Sequence, residues 1–245
     1  MEKFVMNRKM FAIGHRGAMG YEPENTLASF RKALELGIPF VELDVYFVDG
    51  HLVVFHDRRL ERTTNGQGLL IEQNFTHLRT LDAGKGEKIP TLPEVFAVVG
   101  DRTGLNIELK GPDTVEPVVD FISSQQQMSR PKEQFLVSSF KREILIRARQ
   151  LDPRILLGVL VNGPLQDHMD FASELKAYAI HLPLSEVDEP MVKEAHNQGL
   201  KVFVYTVNEI ADLEKMNETG VDGVFSDYPD RVAGSRTFKE TPGWL

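Results

Sequence analysis

Short runs of apolar and β-branched residues alternate with longer amphipathic stretches along most of the chain. We predict eight strands from these runs, at Phe11–Gly14, Phe40–Val48, Leu105–Leu109, Phe135–Ser139, Ile155–Val159, Ala179–Leu182, Val202–Thr206 and Gly223–Ser226. Several of the runs are almost wholly apolar, which is typical of a parallel sheet whose outer face is covered. Strands and helices that alternate in this number predict an α/β fold, a (β/α)₈ TIM barrel.

The stretches between the strands have helical periodicity. Thr26–Leu36 carries an apolar stripe and is followed by Gly37, as is common at the C-terminal end of a helix. Thr91 and Glu94 have the spacing of a capping box at the start of another helix. Further helices are predicted at Val115–Ser124, Arg142–Gln150, Met191–Asn197 and Ala211–Thr219. A doubly wound open sheet fits less well, because no Gly-rich phosphate loop follows the first strand.

One long irregular segment interrupts the alternation. His51–Phe55 reads as the return strand of a hairpin, and residues 57–90 contain several turn signals, including Asn65-Gly66. We interpret residues 57–90 as a small insertion after the second strand, at one mouth of the barrel. No internal repeat or domain boundary is visible, so residues 1–245 are predicted to form a single catalytic domain.

Three carboxylates fall on inward-facing positions near the ends of two predicted strands. Glu42 and Asp44 are two residues apart, so their side chains leave the same face of the second strand, and Glu108 lies on the next predicted strand. Unpaired carboxylates inside a barrel are costly and repel one another. A divalent cation resolves this, and Mg²⁺ and Ca²⁺ are the ions that prefer oxygen ligands. The alternative is that Glu42 and Asp44 form structural salt bridges.

Cations and imidazoles accompany these carboxylates at the strand ends. His15 and Arg16 end the first strand, His56 ends the hairpin and Lys110 follows the third strand. Two cations beside a metal suit an anionic substrate such as a phosphate. Two imidazoles add a proton acceptor and a proton donor, which completes the set needed to cleave a phosphodiester. Each histidine could instead be structural, and Lys110 could simply pair with Glu108.

Composition narrows the choice of partners and ligands. The chain has 245 residues and no cysteine, which excludes disulfides and thiolate metal ligands. Its 28 basic and 36 acidic residues give a net charge of −8, without the basic excess of a nucleic-acid binder. The N-terminal residues lack an apolar signal-peptide core, and no segment approaches the roughly 18 apolar residues of a membrane span. We therefore expect a cytoplasmic protein with no stable membrane anchor.

Six motifs in order resemble those of the glycerophosphodiester phosphodiesterase family. They are His15-Arg16-Gly17, Pro23-Glu24-Asn25-Thr26, Glu42-Leu43-Asp44, His56-Asp57, Arg62-Thr63-Thr64-Asn65-Gly66 and Ile107-Glu108-Leu109-Lys110. Weaker similarities, ending with Ser226-Asp227-Tyr228-Pro229, extend the resemblance over nearly the whole chain. The resemblance implies hydrolysis of glycerophosphodiesters, such as glycerophosphocholine, to glycerol 3-phosphate and an alcohol.

The resemblance also implies roles for single residues. It makes Glu42, Asp44 and Glu108 the ligands of one divalent cation, His15 and His56 the acid–base pair, and Arg16 and Lys110 the phosphate-binding cations. A mechanism proposed for the family has one histidine deprotonate the neighbouring glycerol hydroxyl, which attacks phosphorus. The other histidine protonates the leaving alcohol, and water then opens the cyclic phosphate. Which histidine does which is left open.

Three residues with aromatic rings are harder to place. Tyr205 stands in the seventh strand where many relatives carry Trp, so it is expected to be either a wall of the substrate site or a core aromatic. His181, at the end of the sixth strand, is a candidate for lining the same pocket. Trp244, near the C-terminus, could pack on the barrel or mediate contact in a homo-oligomer.

Two other functions remain open from the sequence. A related barrel phosphodiesterase, such as a lysophospholipase D or a phospholipase, would need room for an acyl chain or an inositol ring. A barrel that binds a phosphate ligand without catalysis would be expected to lack one histidine or one carboxylate. The chain has both histidines and all three carboxylates.

Overall fold

The computed structural model describes residues 10–127 and 134–232, and a closed parallel barrel forms its centre. The barrel strands are β1 (Phe11–Gly14), β2 (Phe40–Val48), β4 (Gly104–Leu109), β5 (Phe135–Ser139), β6 (Leu156–Leu160), β7 (Ala179–Pro183), β8 (Lys201–Tyr205) and β9 (Gly223–Ser226). Strand β1 pairs in parallel with both β2 and β9, which closes the sheet. Strand β3 (His51–Val54) runs antiparallel to β2 as the return arm of a hairpin. The predicted (β/α)₈ TIM barrel is confirmed.

Helices follow the strands around the outside. They are α1 (Leu27–Glu35), α2 (Phe75–Leu78), α3 (Leu92–Val99), α4 (Val115–Gln127), α5 (Arg142–Leu151), α6 (Leu165–Glu174), α7 (Glu189–Asn197) and α8 (Ile210–Thr219). The predicted strands at Ile155–Val159 and Val202–Thr206 each lie one residue from the observed β6 and β8. Helix α6 was not predicted, because buried His168 fills a core-facing position where the pattern requires an apolar residue. Its ring nitrogen Nδ1 bonds the carbonyl of Pro164, which satisfies the buried imidazole.

Alternation along the strands separates the core from the site. The outward-facing Val41, Leu43 and Val45 of β2 are fully buried and belong to the large apolar cluster that also contains the helix residues. The residues between them, Glu42 and Asp44, point into the barrel. The register pairs Asp44 with Glu108 of β4, so the strands bring the predicted carboxylates together at one level.

The insertion has an apolar core of its own. Leu60, Leu70, Leu78 and Leu81 are buried in a second cluster that packs on Val53 of the hairpin. This segment contains short helix α2 and one 3₁₀ turn and otherwise consists of turns and bends. Its apolar core holds the segment against the hairpin, beside the mouth formed by the carboxyl ends of the strands.

A capping box ties the insertion to helix α3. The backbone N–H of Thr91 donates to the Glu94 carboxylate over 2.8 Å, and Arg79 of the insertion donates to the same carboxylate. We expect Thr91→Ala to lower the free energy of unfolding by about 1 kcal/mol, as is usual when a Thr N-cap is lost. Urea denaturation measures this. The exposed Thr76→Ala variant on α2 serves as the control and should change stability by less than about 0.5 kcal/mol; equal losses in both variants would contradict the capping role.

Some predictions reach beyond the described residues. Within residues 10–127 and 134–232, no helix is both long and apolar enough to cross a membrane. Trp244 lies outside the described residues. The single domain over residues 1–245, the cytoplasmic location and the homo-oligomer stay predictions.

Candidate active site

Three buried carboxylates converge at the mouth of the barrel. Glu42, Asp44 and Glu108 each place one oxygen within 4.8 Å of the others. Burial, together with repulsion from Asp44 and Glu108, raises the pKa of Glu42 well above its usual value. Burial and the neighbouring Asp44 also raise the pKa of Glu108, to about 7. A set of three oxygens held together against their own repulsion fits a hard divalent cation such as Mg²⁺ or Ca²⁺.

Lys110 lies against two of these carboxylates. Its ammonium is 2.7 Å from an oxygen of Glu108 and 3.1 Å from an oxygen of Asp44. Burial opposes the charge on Lys110, but Asp44 and Glu108 outweigh it and raise the pKa of the ammonium. The cation therefore stays charged at the edge of the triad. Asn25, which sequence reasoning did not select, donates to the other Asp44 oxygen over 2.9 Å.

Arg16 links the first strand to the triad through its backbone and its side chain. Its φ of +49° lies in the left-handed region, and its backbone N–H donates to Glu42 over 2.9 Å. The guanidinium donates to Glu24 over 2.7 Å, and its Nε lies 3.6 Å from Asp44. Burial opposes the charge on Arg16, but Asp44, Glu42 and Glu24 together raise its pKa. The turn after β1 thus places a permanent cation beside the carboxylates.

His15 is oriented by a carboxylate that directly follows the last barrel strand. Its Nδ1 lies 2.7 Å from Asp227, and because a carboxylate only accepts, Nδ1–H is the donor. Asn208 fixes Asp227 in turn, since its amide donates to the carboxylate and its Oδ1 accepts the Asp227 backbone N–H. Burial opposes ionisation of Asp227, but the hydrogen bonds from His15 and Asn208 and the nearby charge of Arg16 together outweigh it and lower the pKa. The Nε2 of His15 is left for a substrate.

His56 has an equivalent arrangement on the hairpin side. Its Nδ1–H donates to Asp57 over 2.6 Å. Arg62 donates to Asp57 over 2.5 and 2.9 Å and to Glu24 over 2.6 and 2.7 Å. Because Glu24 also accepts from Arg16, alternating charges connect His56 to the guanidinium beside the triad. Burial lowers the pKa of His56, which favours the neutral imidazole.

Two cavities meet at these residues. An inner cavity of about 150 Å³ is bordered by His15, Arg16, His56 and by two triad carboxylates. An outer groove of about 870 Å³ runs from His56, Glu108 and Lys110 towards the insertion. His56 and Glu108 border both spaces. A substrate cleaved between them could place a small part inward and a larger part outward.

Tyr205 and His181 both line the inner cavity. The Tyr205 hydroxyl donates to the carbonyl of Val161 over 2.8 Å, so the phenol oxygen is already engaged. Burial raises the pKa of Tyr205 to about 12, which keeps the hydroxyl protonated. The aromatic ring, rather than the hydroxyl, is what Tyr205 offers to the cavity. Its role in substrate binding stays a prediction.

The structure brings the predicted site residues to one mouth of the barrel and adds partners that lie in the family-like motifs but were not among the predicted site residues. These partners are Asp227, Glu24, Arg62 and Asn25. Asp227 could have been selected from the sequence, because it directly follows the last predicted strand and the active sites of such barrels lie at the carboxyl ends of the strands. Glu24 and Arg62 come from loops, whose contacts a periodic pattern does not report.

Fold and site together define a barrel hydrolase that acts on an anionic ester. The chain matches the glycerophosphoryl diester phosphodiesterase family over residues 15–231. This chain belongs to that family and is therefore a glycerophosphodiester phosphodiesterase, a hydrolase.

Two named relatives and a solved structure agree with this assignment. The chain is 36% identical to a glycerophosphodiester phosphodiesterase of Caldanaerobacter subterraneus subsp. tengcongensis, over 91% of this chain and 96% of that protein. It is 32% identical to a glycerophosphodiester phosphodiesterase of Bacillus subtilis, over 91% and 85%. A phosphodiesterase of Oleispira antarctica, solved with the product sn-glycerol-3-phosphate, is 35% identical and superposes with a TM-score of 0.83, over 91% and 94%.

Proposed function

We propose that this chain hydrolyses glycerophosphodiesters to glycerol 3-phosphate and an alcohol, with one divalent cation and with His15 and His56 as the acid–base pair. The observation that supports this most is the paired arrangement of the histidines. Each imidazole has Nδ1 bound to an aspartate and, within the described residues, no hydrogen-bond partner for Nε2, and both border the cavity that holds triad carboxylates. The complex of the Oleispira antarctica relative with sn-glycerol-3-phosphate supports the same product.

The phosphate lies between the cations in this proposal. Arg16 and Lys110 bind its anionic oxygens, because both are charged and both sit beside the triad. Glu42, Asp44 and Glu108 would hold the cation, which as a Lewis acid neutralises negative charge that develops on the phosphate. Asn25 holds Asp44 in place by donating to the carboxylate oxygen that does not face Lys110, Oδ2.

Proton transfer is assigned to the two imidazoles. One Nε2 takes the proton of the glycerol hydroxyl next to the phosphate as that oxygen bonds to phosphorus, and the other delivers a proton to the alcohol oxygen as its bond to phosphorus breaks. Water then opens the cyclic phosphate to give glycerol 3-phosphate. Asp227 and Asp57 fix the tautomer of each ring and stabilise the imidazolium when it forms. Neither aspartate needs to exchange a proton with the substrate.

The two spaces divide the substrate by size. The inner cavity of about 150 Å³ accommodates a three-carbon glycerol unit, whereas the groove of about 870 Å³ is in the range of pockets that take whole drug-sized ligands. We assign the glycerol end to the inner cavity and the leaving alcohol to the groove. A panel of glycerophosphodiesters with different alcohols should release a common product, glycerol 3-phosphate. No glycerol 3-phosphate from any of them would refute the proposed function.

Asp227→Asn tests the orientation of His15. The amide can present its N–H to Nδ1 and favour the wrong tautomer, so we expect kcat to fall by about 10²–10⁴-fold, as in serine-protease triads. Asp230→Asn is a matched control, because among the described residues the Asp230 carboxylate accepts from the exposed Tyr21 hydroxyl and from no residue of the site. Steady-state kinetics with glycerophosphocholine measures both. Wild-type kcat in the Asp227 variant would show that this carboxylate does not position the histidine.

The alternative from a different functional class is a barrel that binds a phosphate ligand without cleaving it. Calorimetry would show that such a protein binds glycerophosphocholine, and no glycerol 3-phosphate would be released. The complete set of two aspartate-bound histidines and three carboxylates favours hydrolysis, because a binding site has no use for two oriented proton carriers.

A further inference from the structure

The inner cavity has buried polar groups at its lining that no described residue satisfies. Asn106 on β4 is 2% exposed, and its amide donates to the Ser138 hydroxyl over 3.1 Å while its Oδ1 has no partner within the described part of the chain. His181 on β7 is fully buried, and neither of its ring nitrogens has a partner there. Both side chains line the same cavity as His15 and His56.

Such groups are expensive unless a ligand or a water satisfies them. A buried donor or acceptor without a partner loses its hydration and regains nothing, so native proteins leave few of them. Asn106 and His181 come from β4 and β7, separate strands of the barrel, yet both line one cavity. This coincidence indicates that the cavity receives a polar group from outside the chain.

The chemistry of the two side chains indicates which group it is. Burial lowers the pKa of His181 to about 3, so its ring is neutral and offers one donor and one acceptor nitrogen. Asn106 offers a carbonyl oxygen, which only accepts. A hydroxyl both accepts and donates, so it can accept from the N–H of the neutral imidazole while it donates to the amide oxygen, which neither an anion nor a cation does.

The position in the site indicates which hydroxyl it is. In the proposed function the glycerol end of the substrate occupies the inner cavity, and its hydroxyl next to the phosphate meets a catalytic histidine. One hydroxyl remains, on the terminal carbon. Phe140, Leu160 and Phe225 form apolar parts of the lining, and the Tyr205 hydroxyl there is already engaged by the carbonyl of Val161.

We propose that Asn106 and His181 bind the terminal hydroxyl of the glycerol moiety, so that they select glycerol over otherwise equal three-carbon diols. This inference rests on the proposed function. It makes the inner cavity a specificity site for one half of the substrate, and it leaves the choice of leaving alcohol to the outer groove.

A substrate without the terminal hydroxyl tests this directly. In propane-1,2-diol 1-phosphocholine a methyl group replaces the terminal CH₂OH of glycerophosphocholine, and the hydroxyl next to the phosphate is retained. The wild-type enzyme should prefer glycerophosphocholine by at least about 10-fold in kcat/KM, because the analogue leaves the polar lining unpaired. Asn106→Leu and His181→Leu should bring this ratio close to one. Thr103→Val removes a buried hydroxyl at the opposite end of β4, bonded to the Ile38 carbonyl, and should keep the wild-type ratio.

The ratio is internal to each protein, so a variant that is partly unfolded loses turnover of both substrates equally. His181→Gln, which keeps a donor and an acceptor, should retain part of the preference and serves if the leucine variants do not fold. Equal kcat/KM for both substrates in the wild type, or the wild-type ratio in both leucine variants, would overturn the proposal.

Binding of the products gives the same answer without turnover. Calorimetry should show that wild-type protein binds glycerol 3-phosphate at least about 10-fold more tightly than propane-1,2-diol 1-phosphate. Equal affinities would overturn the specificity site even if hydrolysis is intact. Absence of turnover combined with a preserved affinity difference would instead refute the proposed function and leave the hydroxyl site standing.

Discussion

Replacing either His15 or His56 with alanine should lower kcat for glycerophosphocholine hydrolysis by about 10²–10⁴-fold, the usual contribution of one general acid or base. Both imidazoles have Nδ1 held by an aspartate, and in the part of the chain that the structure describes neither Nε2 has a partner, so it is available to the substrate. Both rings are partly exposed at the mouth, so their removal should leave the fold intact. Steady-state rates of glycerol 3-phosphate release, with circular dichroism to confirm folding, measure the effect.

Two further variants make the histidine experiment decisive. His77→Ala removes an exposed imidazole on α2 that lines neither the inner cavity nor the outer groove, and it should keep wild-type kcat. The double variant that lacks both His15 and His56 should have about the same kcat as the less active of the two single variants, because the effects of residues that act as a unit are not additive. Wild-type turnover in a single variant would remove that histidine from the mechanism.

Adding Mg²⁺ or Ca²⁺ to metal-free protein should raise its Tm by roughly 5–10 °C when the ion is at about 100 times its Kd, since binding then contributes about 2.7 kcal/mol. The physical reason is the repulsion among Glu42, Asp44 and Glu108, which folding forces together and a cation relieves. Differential scanning calorimetry with and without the ion measures the shift.

Glu42→Gln separates the triad from general ion effects. The neutral amide removes one ligand charge and one source of repulsion, so this variant should lose most of the metal-induced shift while its metal-free Tm stays the same or rises. Glu116→Gln, on the surface of α4 and paired with Arg147, should keep the full shift. An unchanged shift in the Glu42 variant would place the ion elsewhere.

Strand periodicity was enough to predict much of this site. Glu42 and Asp44 share a face because side chains alternate along a strand, and the barrel then places Glu108 beside them. Pairs such as His15 and Asp227 are different, because 212 positions separate them and only barrel closure through β1 and β9 joins them. A local pattern reports the face of a residue, and it does not report its hydrogen-bond partner.

The polar groups of the inner cavity show a second limit of sequence reading. Asn106 lies on the same face of β4 as Glu108, yet an asparagine in a strand carries no signal of chemistry by itself. His181 was a candidate by its position at a strand end, but the absence of a partner for either ring nitrogen in the described part of the chain is a property of packing. The hypothesis about the substrate therefore depends on the surroundings of these two side chains, which the structure shows and the sequence does not.

The most direct test of the account is glycerol 3-phosphate release from glycerophosphocholine by one protein preparation in three conditions: as purified, with excess chelator, and with Mg²⁺ or Ca²⁺ restored after the chelator. We predict turnover in the first, loss of nearly all turnover in the second and recovery in the third. Full activity in the presence of the chelator would contradict the central claim that a cation held by Glu42, Asp44 and Glu108 is needed for the reaction.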